Sequence, residues 1–89
     1  MKQSSLILTN KRGLHARAAT KLVKTAKTFK CTTQLYFEEN QADAKSVMSL
    51  LMLAAGPGSK ITLKTSGEDE ETALKAIQTL IENKFDEGE

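Results

Sequence analysis

"CTTQLYFEENQADA", residues 31–44, decides the fold. Its first eight residues are rich in β-branched and aromatic types, which favours a strand. "ENQ" then reads as a turn, and "QADA" reads as a short edge strand. Two strands joined this tightly are antiparallel neighbours. A chain that contains such a hairpin cannot be a simple alternation of parallel strands and crossover helices.

The flanking segments fit around this hairpin. "SLILT", 5–9, is a short apolar run and reads as a buried strand. "NKRGLH" is a loop by its Asn and Gly. From Ala16, apolar residues recur at Ala19, Leu22, Val23 and Ala26, with Phe29 one turn on, which is a helical period. "KSVMSLLMLAA" holds good helix formers with Ser46 as a natural N-cap. "GPGS", 56–59, ends that helix. "KITLKT", 60–65, alternates apolar and polar residues as a half-exposed strand does. In "SGEDEETALKAIQTLIENKF", Ala73, Leu74, Ile77, Leu80 and Ile81 form one apolar stripe, and Asp69, Glu70 and Glu71 occupy the first turn, where the helix dipole favours them. "DEGE", 86–89, reads as a frayed tail. The order β-α-β-β-α-β-α implies an α+β domain over residues 1–89, with a mainly antiparallel sheet and helices packed on one face. Spacing alone does not separate this from a ferredoxin-like fold, which shares the first six elements.

Composition narrows the chemistry. One Cys (Cys31) and one His (His15) exclude a disulfide framework within the chain and make a zinc site on these ligands untenable. "MKQSSLILTN" has an apolar run of three residues, too short for a signal peptide or a membrane span, so a reducing cytoplasm is the expected location. The net charge of +2 hides an asymmetry. Residues 1–37 carry eight Lys and Arg and no acid, a local +8; residues 38–89 carry five Lys against all eleven acids, a local −6. A positive face of this kind suits an acidic or phosphorylated partner. A nucleic-acid partner is disfavoured, because aromatics for base stacking are not interleaved with the Lys and Arg.

The only histidine stands just before the first helix, in "GLHARAATKLV", 13–23. Arg12, Gly13, Leu14 and His15 include none of the usual capping residues. The first-turn amides of Ala16, Arg17 and Ala18 then need another acceptor, and such amides form an anion site. Arg17 adds a guanidinium suited to phosphate oxygens. His15 stands at the mouth of this site, and an imidazole ring nitrogen is the kind of nucleophile a phosphoryl acceptor uses. A solvent-exposed histidine acting as a weak cap is the other reading of the same residues.

Two further features lie downstream. Arg17, Lys21, Lys24 and Lys27 form a basic ridge opposite the apolar stripe, with no carboxylate one turn away to pair with, which suits contact with another molecule as well as a solvated face. Val47, Met48, Leu50, Leu51, Met52 and Leu53 are apolar almost all round a short helix. If Leu50 and Leu53 face the core, Val47, Met48, Leu51 and Met52 are at least partly exposed, as a docking patch or under a covering loop. Ser46 has a sufficient reason to be present as a cap; a phosphate there would sit beside that patch. No Gly-rich nucleotide loop appears, since "GPGS" lacks the Lys of the phosphate-loop pattern. No cofactor is expected.

"GLHAR", 13–17, and "AKSVMSLLMLAAGPGS", 44–59, closely resemble the HPr family, the histidine-containing phosphocarriers of the bacterial phosphotransferase system. Within it the chain looks most like the nitrogen-related (NPr) and proteobacterial branch. The resemblance covers essentially the whole chain and implies an open-faced β-sandwich: four antiparallel strands with three helices on one face. It implies that His15 is phosphorylated on Nδ1 by phospho-Enzyme I and passes the group to EIIA-type proteins, in sugar uptake or a regulatory relay. Arg17 matches the arginine beside that phosphate, and Ser46 the serine modified by HPr kinase in many bacteria. The family's docking surface lies between the first two helices, here Thr20, Lys21, Lys24, Lys27, Val47, Met48, Leu51 and Met52. A monomeric carrier that is not itself an enzyme is implied. A regulator that docks through 47–52 and switches at Ser46, without histidine phosphotransfer, is the alternative. Many members read "HARPA" where this chain has "HARAA". Ala18 in place of proline restores an amide donor and leaves the expected site intact, with a slightly less rigid first turn.

Overall fold

The computed structural model describes residues 1–86. The elements follow in the order β1 (Lys2–Ile7), α1 (Ala16–Ala26), β2 (Thr32–Phe37), β3 (Asn40–Asp43), α2 (Val47–Met52), β4 (Lys60–Ser66) and α3 (Glu70–Glu82), closed by one turn at Lys84–Asp86. The strands form a single sheet in the order β1-β4-β2-β3, with every pairing antiparallel. The strand inserted between β1 and β2 is therefore β4. In a ferredoxin-like sheet the hairpin strand β3 would take that place, so the order settles the topology as the open-faced β-sandwich.

Alternation along the strands decides which face is covered. Leu6 lies opposite Ile61, Leu35 lies between Leu63 and Ala42, and Thr33 lies opposite Thr65. All of these are buried. Onto this face α1 lays Ala18, Ala19, Leu22, Val23 and Ala26, and α3 lays Ala73, Ile77, Leu80 and Ile81. From α2 only Leu50 is buried, joined by Leu53 just past its end. Phe85, from the closing turn, is fully buried in the same core. The other face stays open to water: Lys64 stands 4.9 Å from the centre of the Tyr36 ring there.

Several boundaries differ from the sequence reading. α1 ends at Ala26, short of Phe29, and the hairpin turn is Glu38–Glu39, with Asn40 and Gln41 paired to Phe37 and Tyr36. β1 begins at Lys2 and stops at Ile7 because β4 sets its register, Lys2 opposite Thr65 through Ile7 opposite Lys60. Leu8 then leaves the ladder to bond Ser59 and Gly58. The residue that breaks α2 is Ala54, held at φ +54°, ahead of Gly56. α3 ends at Glu82, and Lys84, Phe85 and Asp86 all take left-handed backbone, with φ of +54°, +57° and +60°. That conformation is unfavourable for each residue; burying the Phe85 ring offsets it. Of the expected frayed tail, Asp86 closes the turn, and residues 87–89 lie outside the described residues.

The two acids at the start of α3 act as tethers to other elements. Asp69 makes no side-chain cap on its own helix. Its carboxylate accepts the backbone N–H groups of Lys30 and Cys31, each at 2.9 Å, and so ties the chain after α1 to α3. Glu70 accepts the Gly67 N–H and the N-terminal amine of Met1, each at 3.0 Å. The Lys30 N–H, with the Cys31 N–H and thiol behind it, holds the Asp69 carboxyl below the ordinary carboxylate range, against an opposing effect of burial. The Gly67 N–H and then the N-terminal amine do the same for Glu70. A depressed folded-state value means stabilisation that is complete above the unfolded value, about pH 4, and is lost as pH falls through the folded value. The melting temperature should therefore be flat from pH 7 to about 5 and fall below pH 4. Asp69→Asn should melt lower at pH 7 and show a shallower acid decline; an unchanged profile by circular dichroism would contradict the tether.

Candidate functional site

His15 reaches its place through a loop that is fixed at several points. The Gly13 N–H donates to Asn10 O at 3.3 Å and closes a turn. Gly13 has φ +62°, and a Cβ there would lie 2.6 Å from Ala55 O. This close approach and the left-handed backbone both require glycine. The next N–H, that of Leu14, donates to Ala55 O at 2.9 Å, and the buried Leu14 side chain enters the core. The His15 N–H donates to Gly13 O at 3.0 Å. Asn10 is itself buried, and its Nδ2 donates to the same Gly13 oxygen at 2.7 Å.

His15 is the N-cap residue of α1, in extended backbone (φ −88°, ψ 178°), and its side chain makes no capping hydrogen bond. The helical ladder starts with the Ala19 N–H on His15 O at 2.8 Å. The amides of Ala16, Arg17 and Ala18 therefore lie ahead of the ladder, where the positive end of the helix dipole is concentrated. No acid stands in the first turn. The His15 ring is half-buried, with Nε2 on its inner side. Ala16 and Arg17 are exposed around it, whereas Ala18 is fully buried and anchors the turn to the core. His15 and Arg17 thus both stand at a helix end without a side-chain cap. A negatively charged group fits there; among the described residues no cluster of His, Cys, Asp and Glu could hold a metal.

The basic ridge is less uniform than its spacing implies. Arg17, Lys24 and Lys27 are exposed. Lys21 is half-buried, and its Nζ donates to Phe85 O at 3.0 Å, steadying the left-handed closing turn. Thr20 is exposed on the same helix, its hydroxyl donating to Ala16 O at 2.8 Å. On α2, Met48 and Met52 are 69% and 79% exposed, while Val47 and Leu51 are half-buried against the core. Among the described residues no loop covers the two methionines. Ser46 acts as the N-cap of α2, its Oγ accepting the Ser49 N–H at 3.3 Å. A groove of about 260 Å³ opens between β3 and α2, lined by Asn40, Gln41, Ser49, Met52 and Leu53, and none of the His15 site residues lines it. Sequence reasoning missed Asn10 and Ala55. An Asn three residues before a glycine is a turn signal that points to Asn10; a backbone acceptor such as Ala55 leaves no such trace.

A family model described as the PTS HPr component phosphorylation site matches residues 2–83. The chain belongs to the HPr family. It is a phosphocarrier of the phosphotransferase system and not an enzyme in its own right. Phosphocarrier protein HPr of Cupriavidus necator is 47% identical over 89 residues, covering all of both chains. HPr of Xylella fastidiosa is 46% identical over 87 residues, 98% of each chain. Phosphocarrier protein NPr of Shewanella violacea is 46% identical over 86 residues, 97% of this chain and 94% of its own. Among solved structures, HPr-C-His from Thermoanaerobacter tengcongensis superposes with a TM-score of 0.94 at 39% identity over 98% of each chain. Among the described residues no helix is long and apolar enough to cross a membrane.

Gly13 gives the sharpest test of how the HPr loop is built. Gly13→Ala forces a backbone shift against Ala55 and Gly56 and should destabilise by about 3 kcal/mol, lowering Tm by more than about 10 °C. Gly58→Ala, also at positive φ but with nothing within 4 Å of the added carbon, should cost about 1 kcal/mol. Equal losses in the two variants would contradict the close approach.

Proposed function

We propose that His15 takes a phosphoryl group from phospho-Enzyme I and hands it to an EIIA-type protein, within a single HPr-like domain acting as a cytoplasmic monomer. The observation that carries this reading is the α1 terminus: a helix end without a side-chain cap or an acid, with the chain's one imidazole as its N-cap residue and Arg17 in its first turn. Because Nε2 is on the buried side of the ring, Nδ1 is the nitrogen a donor must meet. An N–P bond forms at Nδ1 as the bond from phosphorus to the donor breaks, the donor keeping that electron pair. The phosphoryl oxygens come to rest on the first-turn amides and Arg17, which are in place before transfer. Release to the acceptor is the same step in reverse.

Docking is the role we assign to the two neighbouring helices. Thr20, Lys24 and Lys27 on α1, together with Val47, Met48, Leu51 and Met52 on α2, would present a charged strip beside an apolar one. Lys21 contributes at the margin, held by the closing turn. Sugar uptake and a regulatory relay would use the same transfer at His15 with different partner proteins. Modification at Ser46 by a kinase of the HPr kinase type would have to draw the hydroxyl from the Ser49 N–H that it caps.

Incubation with phosphoenolpyruvate and Enzyme I should add one phosphate by intact mass. Brief acid should remove it, and His15→Ala should take none. No added mass with an Enzyme I shown to be active, its paralogues included, would sink the reading. For docking, Met48→Glu with Met52→Glu should raise KM for Enzyme I at least about tenfold while Tm stays within about 3 °C, because both side chains are exposed. An unchanged KM would place docking elsewhere.

A further inference from the structure

The peptide unit between Gly13 and Leu14 is gripped at both ends. Its N–H, from Leu14, donates to Ala55 O at 2.9 Å. Its oxygen, on Gly13, accepts the Asn10 Nδ2 at 2.7 Å and the His15 N–H at 3.0 Å. Of these contacts, only the one from Asn10 is made by a side chain. Asn10 is 3% exposed, and its Oδ1 is buried without a protein partner. A buried amide whose acceptor end is unsatisfied is unfavourable. The chain tolerates that defect at the residue whose donor end clamps the histidine loop.

We infer that Asn10 is a positioning residue for His15: its amide fixes the Gly13–Leu14 peptide plane and thereby the angle at which His15 enters α1. The choice of a donor matters. A conventional helix cap is an acceptor, and it would occupy the first-turn amides that an incoming anion needs. Asn10 braces the same turn by donating to a carbonyl, so it orders the loop and leaves the amide end of α1 to the phosphate. Without it, the peptide is held only by the Leu14 N–H on Ala55 O and the His15 N–H, and the left-handed Gly13 backbone adds little resistance to turning. The His15 N–H, which bonds the same oxygen, turns with it. Small displacements of a reacting group slow transfer steeply, by up to about a hundredfold per ångström.

This inference rests on His15 as the phosphoryl acceptor, and Asn10→Leu tests it. Leucine keeps the shape of asparagine, removes the unsatisfied Oδ1 and lacks the donor, while Gly13 O keeps the His15 N–H. The variant should stay folded, with Tm within about 5 °C of wild type. Phosphorylation by Enzyme I should show kcat lowered about tenfold at unchanged KM, because the docking helices are untouched. Backbone amide resonances should move at residues 13–17 and not elsewhere along α1. Unchanged kcat in the folded variant overturns the inference, as does a loss that appears only in KM. Asn10→Ala serves as the second variant if Asn10→Leu fails to fold, with rates taken per folded molecule. If wild-type chain takes no phosphate on His15, the acceptor reading fails separately. Asn10 is then judged by the amide shifts alone, and their absence at 13–17 overturns its part.

Discussion

The hydrogen bond from the Leu14 N–H to Ala55 O is the constraint on which the site depends. It joins the loop that carries His15 to the segment leaving α2. Gly13 makes the join possible, since a side chain there would collide with the Ala55 and Gly56 backbone. Ala54, at φ +54°, turns the chain out of α2 so that the Ala55 carbonyl faces the loop. One side of the site is therefore built by α1 and the other by the exit of α2. The proposed phosphate position and the exposed methionines are consequently joined through that hydrogen bond, and a partner seated on α2 would find His15 beside it.

Rigidity here serves electrostatics. In the proposed transfer, the amides ahead of the α1 ladder and the Arg17 guanidinium would favour a phosphoryl group most if they already point at it, because reorganising them during transfer would consume the gain. The loop is accordingly braced from outside the anion site, by Asn10 and Ala55, and by Leu14 and Ala18 packed into the core. Farther away, Asp69 and Glu70 tie the ends of other elements to α3 and keep the sheet and helices in register. The Lys21 contact with Phe85 O joins the closing turn to the ridge and takes one lysine partly out of solvent.

Much of this was legible in the sequence. The hairpin at 31–44, the stripe in α3 and the Ser46 cap are local patterns, and each is present, the hairpin with its turn at Glu38–Glu39 and Asn40 and Gln41 already in the strand. The uncapped start of α1 was legible because an absence of Ser, Thr, Asp and Asn is as plain as their presence. What could not be read was non-local. β1 takes its limits from β4, α2 is ended by an alanine in glycine-like backbone, and Lys84, Phe85 and Asp86 turn left-handed because the Phe85 ring reaches the core. The strand order that excludes the ferredoxin-like arrangement also depends on pairing between distant segments. Ala55 was missed for the same reason, since its partner Leu14 is set by tertiary approach; Asn10 bonds Gly13 three residues on, and only its burial and the direction of that bond are tertiary.

If the anion site proposed at α1 is formed before the phosphate arrives, few amides move when it binds. Backbone amide resonances of the unmodified and phosphorylated chain decide this. Large shifts are expected at His15, Ala16, Arg17 and Ala18, with residues 10–14 and the rest of α1 nearly unmoved. Shifts spread through the loop and along α1, or none at the first-turn amides, would contradict it.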